Sequence, residues 1–128
     1  MNQTITINVG LNNNPYTFES VVTLTTRIFK RVNKIEAQLR EGLYHPDEQT
    51  IIFEPTAVIR ISVYTERPIE TTMEHLCELF TQECIPYRSI ENKQGVLTIT
   101  EELVYNKSFE GERYAFDSKY FLDIEETK

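Results

Sequence analysis

Glycine is scarce in this 128-residue chain: Gly10, Gly42, Gly95 and Gly111 lie too far apart for a phosphate-cradling loop or a dinucleotide fingerprint. Cysteine is scarcer still. Cys77 and Cys84 fall on one predicted helix, about 10 Å apart along its axis, too far for a disulfide and wrong for shared metal ligation, so both are expected to pack as small apolar groups. Histidine is limited to His45, before a proline, and His75, beside Glu74 and Glu78; no further ligand falls at metal spacing. No metal and no other cofactor is expected. No Gly-x-Ser-x-Gly elbow or reactive-cysteine context marks a hydrolase, and Glu101-Glu102 and Glu125-Glu126 read as solvated positions. Long apolar runs are missing as well: the longest are three residues, as at Ile51-Ile52-Phe53, where a spanning helix needs about 20. The start, Met1 to Thr6, has neither a basic region nor an apolar signal core. The expectation is no membrane and a cytoplasmic location.

Positive charge is in deficit, 13 Lys and Arg against 20 Asp and Glu, for a net charge of −7. Residues 1 to 64 carry six of each sign, whereas residues 65 to 128 carry seven basic and fourteen acidic side chains. Such a field repels long nucleic acid, whose binding depends on neutralising many phosphates. A small anion held by two or three arginines stays open.

What is present is a single domain over 1–128, with hydrophobic periodicity that switches between 2 and 3.6. Ile5, Ile7 and Val9 alternate with Thr4, Thr6 and Asn8, the pattern of a half-buried strand ending at Gly10. Asn14 can cap a helix that Pro15 opens, with its buried stripe at Phe18, Val21, Val22, Ile28, Phe29 and Val32. Arg27, Lys30, Arg31 and Lys34 then form one solvated basic stripe. Alternation returns from Ile35 to Tyr44, before a turn at 45–48, and again from Ala57 to Val63 after a break at Glu54-Pro55. Pro68 opens a second helix with Ile69, Met73, Leu76, Cys77 and Phe80 inward and Glu70, Glu74 and Glu78 outward. Asn92-Lys93-Gln94-Gly95 marks a hairpin between 87–90 and 96–100. The order is α+β, a ferredoxin-like βαββαβ antiparallel sheet with two helices on one face over 1–100. Residues 101–128 form a C-terminal β extension holding six of the fourteen aromatics, including Tyr105, Phe109, Tyr114 and Phe116.

Two features point to binding. Asn12, Asn13 and Asn14 bring three amides to a helix start, where an anion or polar ring could be held. Arg60, Arg88 and Arg113 are scattered with Tyr16, Tyr87 and Tyr114, a combination suited to phosphate and base.

Gly10-Leu11 closing the first strand, Glu54 to Ile59 entering the third and Phe80 to Ile85 leaving the second helix make a layout that resembles small one-domain proteins of bacteria and their phages. It also resembles the phage-encoded Thoeris anti-defence proteins, which form oligomers and sequester a cyclic ADP-ribose-type signal without cleaving it. That resemblance implies a pocket built from Tyr16, Phe80, Arg88, Asn92 and Arg113. The expected function is a non-catalytic protein, not an enzyme, that binds a small anionic nucleotide-like ligand as a homo-oligomer, in a host cytoplasm if phage-encoded. The alternative is a protein-interaction module using the aromatic extension.

Overall fold

The alternation of Ile5, Ile7 and Val9 with Thr4, Thr6 and Asn8 forms β1 (Asn2–Gly10), and the chain then continues through α1 (Phe18–Phe29), β2 (Val32–Asp47), β3 (Thr50–Tyr64), α2 (Ile69–Leu79), β4 (Cys84–Lys93) and β5 (Val96–Tyr105). A computed structural model describes residues 2–64, 68–113 and 115–126. The five strands make one antiparallel sheet in the order β2-β3-β1-β4-β5.

Strand side chains alternate between faces, so one parity of each strand meets the helices. Ile5, Ile7, Val9, Ile59, Ile61, Ile85 and Tyr87 take that face and bury against Val21 of α1 and Met73, Leu76 and Phe80 at α2. Each fully buried aliphatic side chain contributes about 1.5–3 kcal/mol. A sheet with two helices thus accounts for the core.

Several local expectations change. Thr17, not Asn14, caps α1: its side chain accepts the Ser20 N–H, and the helix begins three residues beyond Pro15. Asn14 instead ties the preceding loop, donating to Gly10 O at 3.1 Å and accepting the Tyr16 N–H at 2.9 Å. The basic stripe does not form, because Lys30 and Arg31 adopt positive φ of 55° and 46° and end the helix, leaving Lys34 on β2. β3 runs unbroken through Pro55, whose carbonyl accepts the Leu11 N–H at 2.9 Å. The proline nitrogen faces that same side, where β1 has already ended, so its missing donor breaks no ladder.

The largest change is the C-terminal segment. β5 pairs with β4 as far as Tyr105, but residues 106–126 form no strand among the described residues, only a 3-10 turn at Ser118–Tyr120. Apart from local turn bonds and the Asn106 N–H, which donates to Glu83 O, their backbone is held by side chains and not by a partner strand. The Asn8 amide donates to Leu122 O and accepts from Leu122 N, both at 2.8 Å, and the Gln38 amide treats Glu125 the same way at 2.7 Å. Arg40 donates to Asp123 O at 2.8 Å. The Asp123 carboxylate lies 3.6 Å from Arg60 and 3.9 Å from Arg88. The segment therefore straps across its own sheet, on the face away from the helices, where Thr6, Asn8, Thr56 and Val58 are buried.

Candidate functional site

Between that second sheet face and the strap lies a cavity of about 280 Å³, near the lower end of the range for small-ligand sites. β1 contributes Asn8 and Gly10 to its floor, β2 Tyr44, and β3 Glu54 and Thr56; Pro86, Leu103 and Tyr105 extend it across β4 and β5. The outer wall is aromatic, with Phe109, Phe116, Tyr120 and Phe121 from the strap. Asn12, Asn13 and Glu83 line the rim at the ends of β1 and α2.

The electrostatics are one-sided. Glu54, Glu83, Glu112 and Asp117 bring four carboxylates to the lining, which among the described residues includes no lysine or arginine. Burial pushes the Glu54 carboxyl above the usual carboxylate range, opposed by the Asn12 backbone N–H that donates to it. The Tyr44 hydroxyl donates to Glu83, and burial together with that carboxylate raises its pKa. Burial also pushes the Cys84 thiol up to about 12, which leaves a poor nucleophile in the lining.

Gly10 is required at this site for space. A Cβ there would stand 2.6 Å from Glu54 Oε1, and the carboxylate is the movable partner of that clash. Gly10→Ala should therefore displace the Glu54 carboxylate from the floor while leaving the sheet paired. Ligand affinity should fall with little change in melting temperature, to be read by titration and thermal melt on the same sample.

The sequence candidates do not converge. Asn12 and Asn13 reach the cavity. Tyr16 and Phe80 pack edge to face, centroids 5.9 Å apart, on the helix side of the sheet. Arg88 bonds Glu101 at 2.8 Å and stands 4.5 Å over the Phe121 ring, so its charge is matched within the chain. Arg60 is likewise matched, by Glu36 at 3.0 Å. Asn92 accepts the Gly95 N–H in the β4–β5 turn, toward the Asn2 end of the sheet, whereas the cavity lies at the Gly10 end. Arg113 is exposed and lies 5.2 Å over the Tyr105 ring. Tyr114 falls outside the described residues.

Glu54, Tyr44 and Glu83 were not singled out by sequence. The available signal was parity: Glu54 and Thr56 precede the apolar alternation of β3 on its polar phase, Thr56 opposite Gly10 of β1 and Glu54 opposite Gly42 of β2.

No family model matches the chain, and no curated protein matches it. Among solved structures it is similar to a phage SAM lyase in complex with S-methyl-5′-thioadenosine, with a TM-score of 0.64 and 21% identity, over 85% of this chain and 93% of that one. The fold is shared at that level: a small α+β chain with a five-stranded antiparallel sheet and two helices. The neighbour's phage source agrees with the expected kinship to small phage proteins, and nothing in it supports nucleotide sequestration or a homo-oligomer. No helix among the described residues is long and apolar enough to cross a membrane. The expectation of a non-catalytic sequestering protein is overturned by this neighbour, an enzyme. It rested on the Asn-rich helix start, the arginine and aromatic residues and the absence of hydrolase and nucleotide motifs, and the absence of those motifs does not exclude other chemistry. The interaction-module alternative falls with it, because Tyr105, Phe109, Phe116 and Phe121 line this chain's own cavity.

Proposed function

We propose that the chain is a lyase acting on a sulfonium nucleoside of the S-adenosylmethionine class, held between the sheet and the C-terminal strap. The observation that carries this reading is the cavity's charge, four carboxylates among aromatic rings with no lysine or arginine in the described lining. An anion would be repelled there, whereas a sulfonium or ammonium group is attracted both by the carboxylates and by ring faces. The aromatic wall suits stacking of a base, and Asn12 and Asn13 suit its polar edges. We read the order β2-β3-β1-β4 as a ferredoxin-like sheet that β5 extends. A host cytoplasm is the compartment this reading assigns.

Release of S-methyl-5′-thioadenosine from S-adenosylmethionine breaks the bond between sulfur and the γ-carbon of the aminobutyryl arm. The electron pair goes to sulfur, which becomes a neutral thioether. With no water added, the γ-carbon is closed in this reading by the substrate's own carboxylate as a lactone, a route that, unlike elimination across the arm, needs no base to take a proton. The protein's work is then to capture the cation, to fold its arm into an attacking geometry and to keep water away. Because the charge on sulfur vanishes in the reaction, the carboxylates favour the substrate over the thioether product and so assist its release.

Thermal protection of the whole chain by S-adenosylmethionine, by S-adenosylhomocysteine and by ADP-ribose tests the charge preference. At 100 times its dissociation constant a ligand adds about 2.7 kcal/mol. The expected order is strongest protection by the sulfonium, weaker by the neutral thioether and none by the anion. Protection by ADP-ribose without protection by S-adenosylmethionine would overturn the reading.

A further inference from the structure

Next to Tyr44 on β2, His45 also lines the cavity. Its Nε2 is buried and has no hydrogen-bond partner. Buried polar atoms are almost always paired, so an unpaired one calls for a partner from outside the protein. The imidazole rests against the Tyr120 ring, centroids 4.5 Å apart and planes at 57°, which places it between the β2–β3 hairpin and the strap.

No lysine or arginine stands among the described lining residues, and an imidazole ring N–H is a donor that a carboxylate can accept from. Arg88 and Arg113 stand over Phe121 and Tyr105 and are not part of the lining. A ligand with an amino-acid arm brings a carboxylate into a cavity already holding Glu54, Glu83, Glu112 and Asp117, each of which repels it. Such a group needs a dedicated donor.

We propose that His45 reads the carboxylate of the ligand's amino-acid arm through Nε2, an inference that rests on the cavity being a site for a sulfonium nucleoside. His45 is thus a specificity-determining residue. It selects nucleosides whose arm ends in an amino acid over those whose arm ends in an amine. Because the carboxylate has two oxygens, one can be held by His45 while the other approaches the γ-carbon.

The test compares S-adenosylmethionine with its decarboxylated analogue, which keeps the sulfonium and the amine but lacks the carboxylate. Binding to the whole chain is followed by stopped-flow tyrosine fluorescence before turnover. The wild type is expected to prefer S-adenosylmethionine by about tenfold, the scale of one charge-assisted bond. His45→Gln should remove that preference by weakening S-adenosylmethionine alone, with His45→Asn as the second variant should the first fail to fold. Equal weakening of both ligands, or survival of the preference in the variant, would overturn the proposal and leave the cavity reading standing. Loss of the preference in Arg113→Gln but not in His45→Gln would also overturn it. If the wild type binds neither sulfonium, the proposal and the cavity reading fail together.

Discussion

Glu54→Gln should weaken capture of a sulfonium nucleoside by about ten- to a hundredfold, the loss expected when a charge-assisted contact becomes a neutral one. The effect should fall on KM and kcat/KM more than on kcat, because the positive sulfur is lost in the reaction and the carboxylate favours the bound substrate most. Stability should move the other way. Burial holds the Glu54 carboxyl above the usual carboxylate range, so the folded state retains its proton where the unfolded chain has released it. Its contribution to stability therefore declines as pH rises from the ordinary carboxylate range through the raised folded value. Glutamine carries no such titration, and the variant should melt at or above the wild type at neutral pH. Initial rates and melts on one preparation check both signs. A variant that loses affinity only in proportion to lost stability would move Glu54 out of the site and into the scaffold.

Asn8→Ala should have the largest effect on the strap. Asn8 is only 7% exposed, and its amide satisfies both the N–H and the C=O of Leu122, each at 2.8 Å. Alanine leaves both backbone groups without those partners, a loss of about 2 kcal/mol, or roughly 6–10 °C in melting temperature for a chain of this length. Gln38→Ala should cost less, because its bonds to Glu125 are exposed and water can replace them. Since the cavity wall of Phe116, Tyr120 and Phe121 directly precedes Leu122, releasing that anchor should also weaken ligand binding. Hydrogen exchange at the Leu122 amide reads the anchor directly. Unchanged exchange in Asn8→Ala would mean that the ion pairs of Asp123 with Arg60 and Arg88 hold the strap on their own.

These two residues show where sequence reading succeeds and where it stops. The alternation of Ile5, Ile7 and Val9 and that of Ala57 to Val63 place the core strands correctly, because burial on one face of a strand leaves a period of two in the residues themselves. The buried stripes of both helices were legible for the same reason, except that Val32, read into the first, opens β2 and Cys84, read onto the second, opens β4. Asn8 and Glu54 lie on the opposite phase, and a polar residue there looks the same whether it meets water or another segment. Only the β1–β3 register and the path of the strap tell the two apart. The aromatic content of residues 105–121 was visible and was read as a β extension, whereas beyond Tyr105 the described residues form no strand and their path across the chain's own sheet was not legible. Charge misled in a similar way. Arginine beside aromatic residues suggested an anion site, whereas Arg60 and Arg88 are matched by Glu36, Glu101 and Asp123 and hold the fold together. The acidic excess of the second half was read as a repelling surface, yet Glu83, Glu112 and Asp117 from that half line the cavity. The positions of these groups depend on pairing between distant segments, which local periodicity does not encode.

The most direct measurement is incubation of the purified whole chain with S-adenosylmethionine, followed by mass spectrometry of the products. The expected result is S-methyl-5′-thioadenosine in equal amount to the S-adenosylmethionine consumed, accompanied by the lactone of the four-carbon arm. Recovery of intact S-adenosylmethionine at every protein concentration, or its conversion to S-adenosylhomocysteine, would contradict the assignment of this acidic, aromatic cavity as a lyase site.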